Sequence, residues 1–273
     1  MNTLNQPAYD RLVAKYGIST SPYWHSDRAT LYQGETLAIL PTLPEHYVDA
    51  VIADPPYSSG GATARDRQRS TRDKYVSGRA GDIKHEVPDF PGDQRDQRSW
   101  TYWSTLWMSQ ALRVTKPGGA LLTFCDWRQL PATTDAVQAA GWTWRGVVTW
   151  IKPAGRSRPI RGGFRNAAEY AVWAVNGHIQ KEHEVYLPGV IEGTAPTGKD
   201  RVHQTQKPVE PLLTTLAQVA PPDGLILDPF AGSGSTGVAA LRTSRRFVGI
   251  EMTPYYAQVA ADRLAAELEL TPA

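Results

Sequence analysis

The sequence predicts an α/β chain: a seven-stranded, mostly parallel sheet flanked by helices, with an antiparallel hairpin at one edge. Short β-rich runs alternate with helical patterns, turn residues separate them, and one adjacent pair of runs is joined by a stretch with no helical periodicity. The runs fall at residues 29–33, 49–54, 120–124, 144–152, 169–175, 225–228 and 246–251. Each is too short and too continuously apolar for an amphipathic helix, as expected of strands covered on both faces. The glycine- and arginine-rich connection between 144–152 and 169–175 makes that pair the hairpin. The clearest helix spans residue 100 to about 115, where Trp100, Trp103, Trp107, Ala111 and Val114 recur at steps of three and four. Ser99 is placed to cap it, and Lys116, Pro117, Gly118 and Gly119 to end it. The whole tryptophan face is apolar, so it reads as core packing rather than as a platform for stacked bases.

Two segments break the alternation. Residues 58–99 mix nine lysines and arginines, Arg65 and Arg95 among them, with aspartates, glycines and few apolar residues, which predicts a long surface loop. Residues 176–206 are polar and irregular, punctuated by Gly177, Pro188, Gly189, Gly193, Pro196 and Gly198. The rest reads as one domain over residues 1–273, since 41% hydrophobic residues in a chain of 273 suffice for one substantial core.

Composition narrows the function classes. Twenty-nine basic against 27 acidic residues leave a formal charge of +2, which neither demands nor excludes nucleic acid. The single cysteine, Cys125, removes any disulfide framework, cysteine-rich zinc site or CxxC redox pair. Six histidines show no metal-ligand spacing, so no metal is expected. The N-terminus has no apolar signal region and no apolar run approaches the roughly 18 residues of a membrane span, so a cytoplasmic protein without membrane contact is expected. Nine tryptophans exceed what a chain this size needs to fill a core.

Leu225 to Gly237 reads as a strand, a glycine turn and a helix start, and Gly232, Gly234 and Gly237 satisfy the G-x-G-x-x-G spacing of nucleotide-binding turns. Glu251 ends the next strand, where a carboxylate can accept ribose hydroxyls. Only 36 residues follow Gly237 in a chain of 273, too few for the remaining strands of a dinucleotide fold. The rest of the sheet therefore comes from upstream, which makes the order a permuted one.

Asp54-Pro55-Pro56-Tyr57, directly after a strand, resembles the catalytic motif of amino-group DNA methyltransferases. Asp228-Pro229-Phe230-Ala231-Gly232-Ser233-Gly234 resembles their S-adenosylmethionine turn, and His203 to Pro208 their third motif, with Gln204 where the family commonly has proline. The motif order is similar to that of the circularly permuted, beta-type group, and the likeness covers roughly residues 29–260. It implies a Rossmann-like methyltransferase fold, with S-adenosyl-L-methionine as cofactor and double-stranded DNA as partner. Segment 176–206 then becomes a short variable target-recognition segment. A homodimer and a cognate restriction endonuclease are the further partners the resemblance allows.

The same resemblance assigns the residues. Asp54, Pro55, Pro56 and Tyr57 are the catalytic set. Cofactor contacts are implied for Asp228, Pro229, Phe230, Ala231, Gly232, Ser233, Gly234, Ser235, Thr236, Glu251, Thr205 and Lys207. Glu35 follows a strand where the family places an acid near the adenine, or is merely solvated; Met252 packs on the adenine or lies in the core. The chemistry suits these residue types. An exocyclic amine has its lone pair delocalised into the ring, and acceptors on its hydrogens, here the Asp54 carboxylate and Pro55 carbonyl, favour a pyramidal nitrogen aimed at the sulfonium methyl. Paired prolines stiffen those acceptors, and Tyr57 can stack on a flipped base.

The hairpin connection carries Lys152, Arg156, Arg158, Arg161 and Arg165 with no acid before Asn166. Such a cluster can neutralise several phosphates, so these six residues are the expected DNA contacts. Because segment 176–206 is short for reading many base pairs, the 58–99 loop is expected to share DNA contact or to close over the flipped base. Asp54 favours adenine-N6 as the target, since the family's cytosine-amine enzymes more often have serine there. Cytosine-N4 methylation is the alternative, ahead of an RNA methyltransferase or a non-catalytic DNA-binding protein. Cys125 follows phenylalanine rather than proline and reads as a small buried hydrophobe, which disfavours carbon-5 methylation.

Overall fold

All seven expected runs are strands of one sheet in the computed structural model, which describes residues 21–57, 95–153, 161–179, 184–196 and 206–271. In chain order they are β2 (Ala29–Gln33), β3 (Val48–Ala53), β4 (Thr115–Cys125), β5 (Thr143–Ile151), β6 (Ala168–Val175), β8 (Leu225–Asp228) and β9 (Arg246–Glu251). Two further strands correct the expected number to nine among the described residues: β1 (Trp24–His25) and β7 (Val190–Glu192). Both are two or three residues long, too short for any period to show in sequence. The spatial order is β1-β2-β9-β8-β3-β4-β6-β5-β7. Strands β2, β9, β8, β3 and β4 run parallel, and β6 lies antiparallel to both β4 and β5. The hairpin of β5 and β6 is therefore not at the edge, because β7 adds parallel to β5 outside it and gives the irregular 176–206 segment one ordered strand.

Alternate residues of the central strands enter two different cores, which is why their sequences read as continuous apolar runs. Ala50, Ile52, Ile226 and Phe247 join one cluster with α5 (Ser235–Arg242) and α6 (Pro254–Leu270). Val51, Ala53, Leu227, Val248 and Ile250 join the other with α2 (Gln97–Val114) and α3 (Leu130–Ala139). Two short helices and a 3-10 turn complete the described elements: α1 (Thr36–Ile39), which runs into the 3-10 turn at Leu40–Thr42, and α4 (Thr214–Ala217), which is preceded by a π-type turn at Val209–Leu213.

Helix α2 begins three residues earlier than the tryptophan pattern indicates. Its cap is Asp96 and not Ser99: the Asp96 carboxylate accepts from the Arg98 and Ser99 amides at 2.9 and 3.0 Å, and the Ser99 hydroxyl donates back to it at 2.9 Å. A carboxylate can take both amides at once, so the stronger acceptor wins, and the last residues of the expected 58–99 loop become helix. The far end is also different. Strand β4 starts at Thr115, and residues 116–119 form a bulge in it, between the pairs Val48 with Thr115 and Ala50 with Ala120. The tryptophan stripe is core, as expected: Trp100 and Trp107 are fully buried and Trp103 nearly so.

Gly237, one turn into α5, sits where a Cβ would lie 2.6 Å from Leu264 Cδ2 and 2.8 Å from the Phe247 ring. Replacing it with alanine overpacks that junction, and Gly237→Ala is expected to destabilise the chain by about 1–3 kcal/mol, read as a lower denaturation midpoint at unchanged m-value.

Candidate active site

The carboxyl ends of the parallel strands converge on one cavity, the place where open α/β sheets bind ligands. Its walls include Glu35 after β2, Asp54 to Tyr57 after β3, Phe124 near the end of β4, Asp228 to Ser233 at and after β8, and Glu251 and Met252 from the end of β9. The catalytic motif and the glycine turn are neighbours because β3 pairs with β8 in parallel, Ala50 with Ile226 and Val51 with Leu227.

A line of alternating charge runs from Asp54 and Lys207 in the cavity wall to Glu169 and Lys152 beside it. The Lys207 ammonium donates to Asp54 Oδ2 at 2.7 Å and lies 3.4 Å from Glu169 Oε2. The other oxygen of Glu169 accepts from Lys152, and the Tyr57 hydroxyl donates to Oε2 at 3.3 Å. Lys207 is only 6% exposed, so its charge depends on these two carboxylates. Burial alone would depress its pKa, but Asp54 and Glu169 together raise it and keep it an ammonium. Burial would likewise raise Glu169, yet Lys207 and Lys152 hold it below the usual carboxylate range. Asp54 is raised, because desolvation outweighs the attraction of Lys207. Its other oxygen, Oδ1, is buried and has no hydrogen-bond partner among the described residues.

The glycine turn is held from three sides. Both oxygens of Glu251 accept backbone N–H groups, from Gly232 at 2.9 Å and Thr253 at 2.8 Å. Thr36 donates to the Pro229 carbonyl at 2.6 Å, and Arg263 from α6 reaches the Ser233 carbonyl and the Ser235 hydroxyl. Glu35 caps α1 through the Ala38 amide and also lines the cavity. Of the three patterned glycines, only Gly232, in left-handed backbone at φ 51°, lines the cavity. Gly234 is not among the cavity-lining residues; its backbone is left-handed at φ 79°, and a Cβ there would meet Ala260 at 3.1 Å. Serines 233 and 235 and Thr236 line the cavity together with Pro229, Phe230 and Ala231, and Met252 also lines it, 41% exposed.

Tryptophans fix both motifs from one helix. Trp100 Nε1 donates to the Pro56 carbonyl at 2.8 Å, while Trp103 and Trp107 pack on Phe230 with centroids 5.5 and 5.1 Å apart. Arg95 lies over the Trp103 ring, 4.4 Å from its centroid, and lines the cavity. Cys125 is buried with its thiol pushed up to about 12, mainly by desolvation, so it offers no thiolate near neutral pH.

Among the expected DNA contacts, Arg161, Arg165 and Asn166 are exposed on the hairpin connection, while Lys152 turns toward Glu169 and lies over the Trp150 ring. Thr205, Arg156, Arg158 and residues 58–94 lie outside the described residues. Glu169 escaped the sequence reading. Its signal was a lone charge inside the otherwise apolar or aromatic run of β6.

Asp228 is buried, accepts from the Phe230 amide at 2.9 Å, and is raised to about 7, chiefly by desolvation. An acid that binds its proton more tightly when folded adds stability that is complete below about pH 4 and lost as pH rises to about 7. Asp228→Asn is therefore expected to stabilise the unliganded chain by about 1–3 kcal/mol at pH 8, with the gain shrinking toward zero near pH 4. Denaturation of both proteins across that range checks the sign, and a gain independent of pH refutes it.

The N6/N4 methyltransferase family model, described as DNA methylase, matches residues 48–262. The YubD protein of Escherichia coli (strain K12) is 30% identical over 234 residues, 86% of this chain and 89% of that one. The type II methyltransferase M2.DpnII of Streptococcus pneumoniae is 28% identical over 275 residues, 93% of this chain and 97% of that one. Among solved structures, the M1.HpyAVI–SAM complex aligns with a TM-score of 0.61 at 24% identity, covering 86% of this chain and 98% of that one. The cytosine-N4-specific PvuII DNA methyltransferase aligns with a TM-score of 0.65 at 19% identity, covering 90% and 89%. At these identities the structural likeness is one of fold. The matched span runs from the first residue of β3 into α6 and encloses Asp54, Lys207, the glycine turn and Glu251, and the chain thus belongs to the N6/N4 DNA methylase family, the S-adenosylmethionine-dependent amino-methyltransferases that its motifs resemble.

Proposed function

We propose that the chain methylates the exocyclic 6-amino group of adenine in double-stranded DNA, on a base rotated out of the helix. The observation that carries this reading is Asp54 Oδ1: a buried acceptor with no partner among the described residues, in the same cavity as Tyr57 and the glycine turn. A buried acceptor without a donor is costly, and an amino group entering beside Tyr57 would supply one. The choice of adenine rests on aspartate at the head of the motif.

The cavity suits S-adenosylmethionine. Asp228 is a buried and Glu251 a half-buried carboxylate whose pKa values desolvation raises, a setting that favours a cationic ligand. When bound there, S-adenosylmethionine supplies a methyl group on a positively charged sulfur. Gly232 and Ser233 would face its amino-acid part, Glu251 its ribose hydroxyls, and Phe230 and Met252 its adenine. Asp54 would accept one amino hydrogen of the target base and localise the nitrogen lone pair toward the methyl carbon. Attack of the amine on the methyl carbon would leave the electrons of the broken C–S bond on sulfur, and the proton shed by the nitrogen would pass by way of Asp54 to solvent. Tyr57, with its hydroxyl tied to Glu169, would present its ring to the base.

The exposed Arg161 and Arg165 would meet phosphates, and the type II relative supports modification within a short sequence. Removing either arginine is expected to weaken duplex binding and to reduce the slope of log affinity against log salt by about one unit.

Incubation with labelled S-adenosylmethionine and duplex DNA, followed by digestion to nucleosides, tests the function itself. N6-methyladenine is expected, and Asp54→Ala is expected to lower its rate by about 10²–10³-fold or more while the protein stays folded. Label confined to cytosine, or none with folded protein, overturns the reading.

A further inference from the structure

We infer that Glu169 is a positioning residue for methyl transfer: it shares the Lys207 ammonium with Asp54 and anchors the Tyr57 ring, so that one Asp54 oxygen stays open to the amine. The inference rests on the adenine-amine reading above and adds to it a residue from outside the sequence motifs.

The geometry is specific. Glu169 Oε2 meets both Lys207, at 3.4 Å, and the Tyr57 hydroxyl, at 3.3 Å, while Oε1 takes Lys152. Strand β6 runs antiparallel to β4, with Tyr170 opposite Cys125, which brings Glu169 to the same sheet edge as Asp54. Trp150 is its direct partner on β5, and Lys152, two residues on, leans over that Trp150 ring to reach it. The resulting line of Lys152, Glu169, Lys207 and Asp54 is neutral. Without Glu169, two cations face one carboxylate, and Lys207, held by Asp54 alone, can bridge both of its oxygens in competition with the amine. Tyr57 loses its anchor at the same time. Asp228 on β8 faces Asp54, and Cys125 at the end of β4 faces Glu169 and Lys207, with Asp126 acting on Cys125 in turn.

The two members beyond Lys207 act on Asp54 with opposite sign. Glu169 favours its protonation and Lys152 opposes it. Single-turnover rates at saturating DNA and S-adenosylmethionine, measured against pH, therefore separate positioning from simple structural support. Glu169→Gln is expected to lower the plateau rate roughly 10²-fold, to leave S-adenosylmethionine affinity within about threefold, and to move the acid limb to lower pH. Lys152→Met is expected to move that limb to higher pH, and Glu169→Asp to recover part of the rate. A Glu169→Gln rate within about twofold of the parent, or acid limbs that stay put or move together, overturns the inference. If Glu169→Gln does not fold, the limb of Lys152→Met decides alone, and an unmoved limb overturns it. Failure of the adenine-amine reading shows separately, as absence of methyladenine with the unmodified chain.

Discussion

Parallel pairing of β3 with β8 at the centre of the sheet is the constraint on which the site depends. It sets Asp54 and Asp228, each at the end of a buried strand, side by side on one edge. The flanking strands then deliver the remaining acids to that edge, Glu251 from β9 and Glu35 after β2. Concentrating carboxylates in a desolvated cleft is unfavourable, and Asp54, Asp228, Glu251 and Glu35 all have raised pKa values, with burial the largest cause in each. Hydrogen bonds relieve part of that cost. The backbone amides of Phe230, Gly232, Thr253 and Ala38 all donate to these side chains. The balance favours a cationic occupant, which is what a sulfonium donor is.

Lys207 resolves the same problem on the catalytic side. A lysine 6% exposed keeps its charge only between carboxylates, and it has two. The resemblance alone assigns Lys207 to the cofactor, whereas the fold seats it on Asp54. The tryptophan excess has a related explanation. Helix α2 carries Trp100 to the carbonyl of Pro56 and Trp103 and Trp107 to Phe230, so one rigid face registers the catalytic motif against the cofactor turn. Trp142 and Trp150 use their indole N–H groups likewise, on the carbonyls of Met108 and Gly193. Trp100, Trp142 and Trp150 thus combine packing with one polar handle each, which suits tryptophan at junctions between elements better than leucine, whereas Trp107 buries its indole N–H with no partner among the described residues.

The sheet was legible where strands are buried on both faces, because continuous apolar runs leave few other readings. It was illegible at β1 and β7, where two or three residues carry no period and Val190 is half exposed. The start of α2 was misplaced because Asp96 and Ser99 are both good caps, and only geometry shows the carboxylate holding two amides while the serine turns back to it. The catalytic and cofactor motifs could be read because they are contiguous. Glu169 could not, since its meaning comes from an antiparallel strand that brings it beside a lysine and a tyrosine distant in sequence. A single carboxylate in an apolar strand is a cue to a buried partner, but it does not name the partner.

The glycine pattern shows why spacing identifies a turn more readily than a ligand. Gly232 faces the cavity with its amide on Glu251, whereas Gly234 and Gly237 face away, toward Ala260 and toward Leu264 and Phe247. Two of the three glycines thus answer the need to bring α5 close to α6 and β9, a need shared by any fold in which a helix follows a strand across a tight turn. What narrows the ligand is chemistry outside the pattern: an acid ending β8, an acid ending β9 that grips the turn, and an arginine bracing it from α6. A substitution at Gly237 therefore crowds the helix junction and one at Gly234 meets both Ala260 and a left-handed backbone, while a change at Glu251 loosens the turn and removes a candidate ribose acceptor in one step.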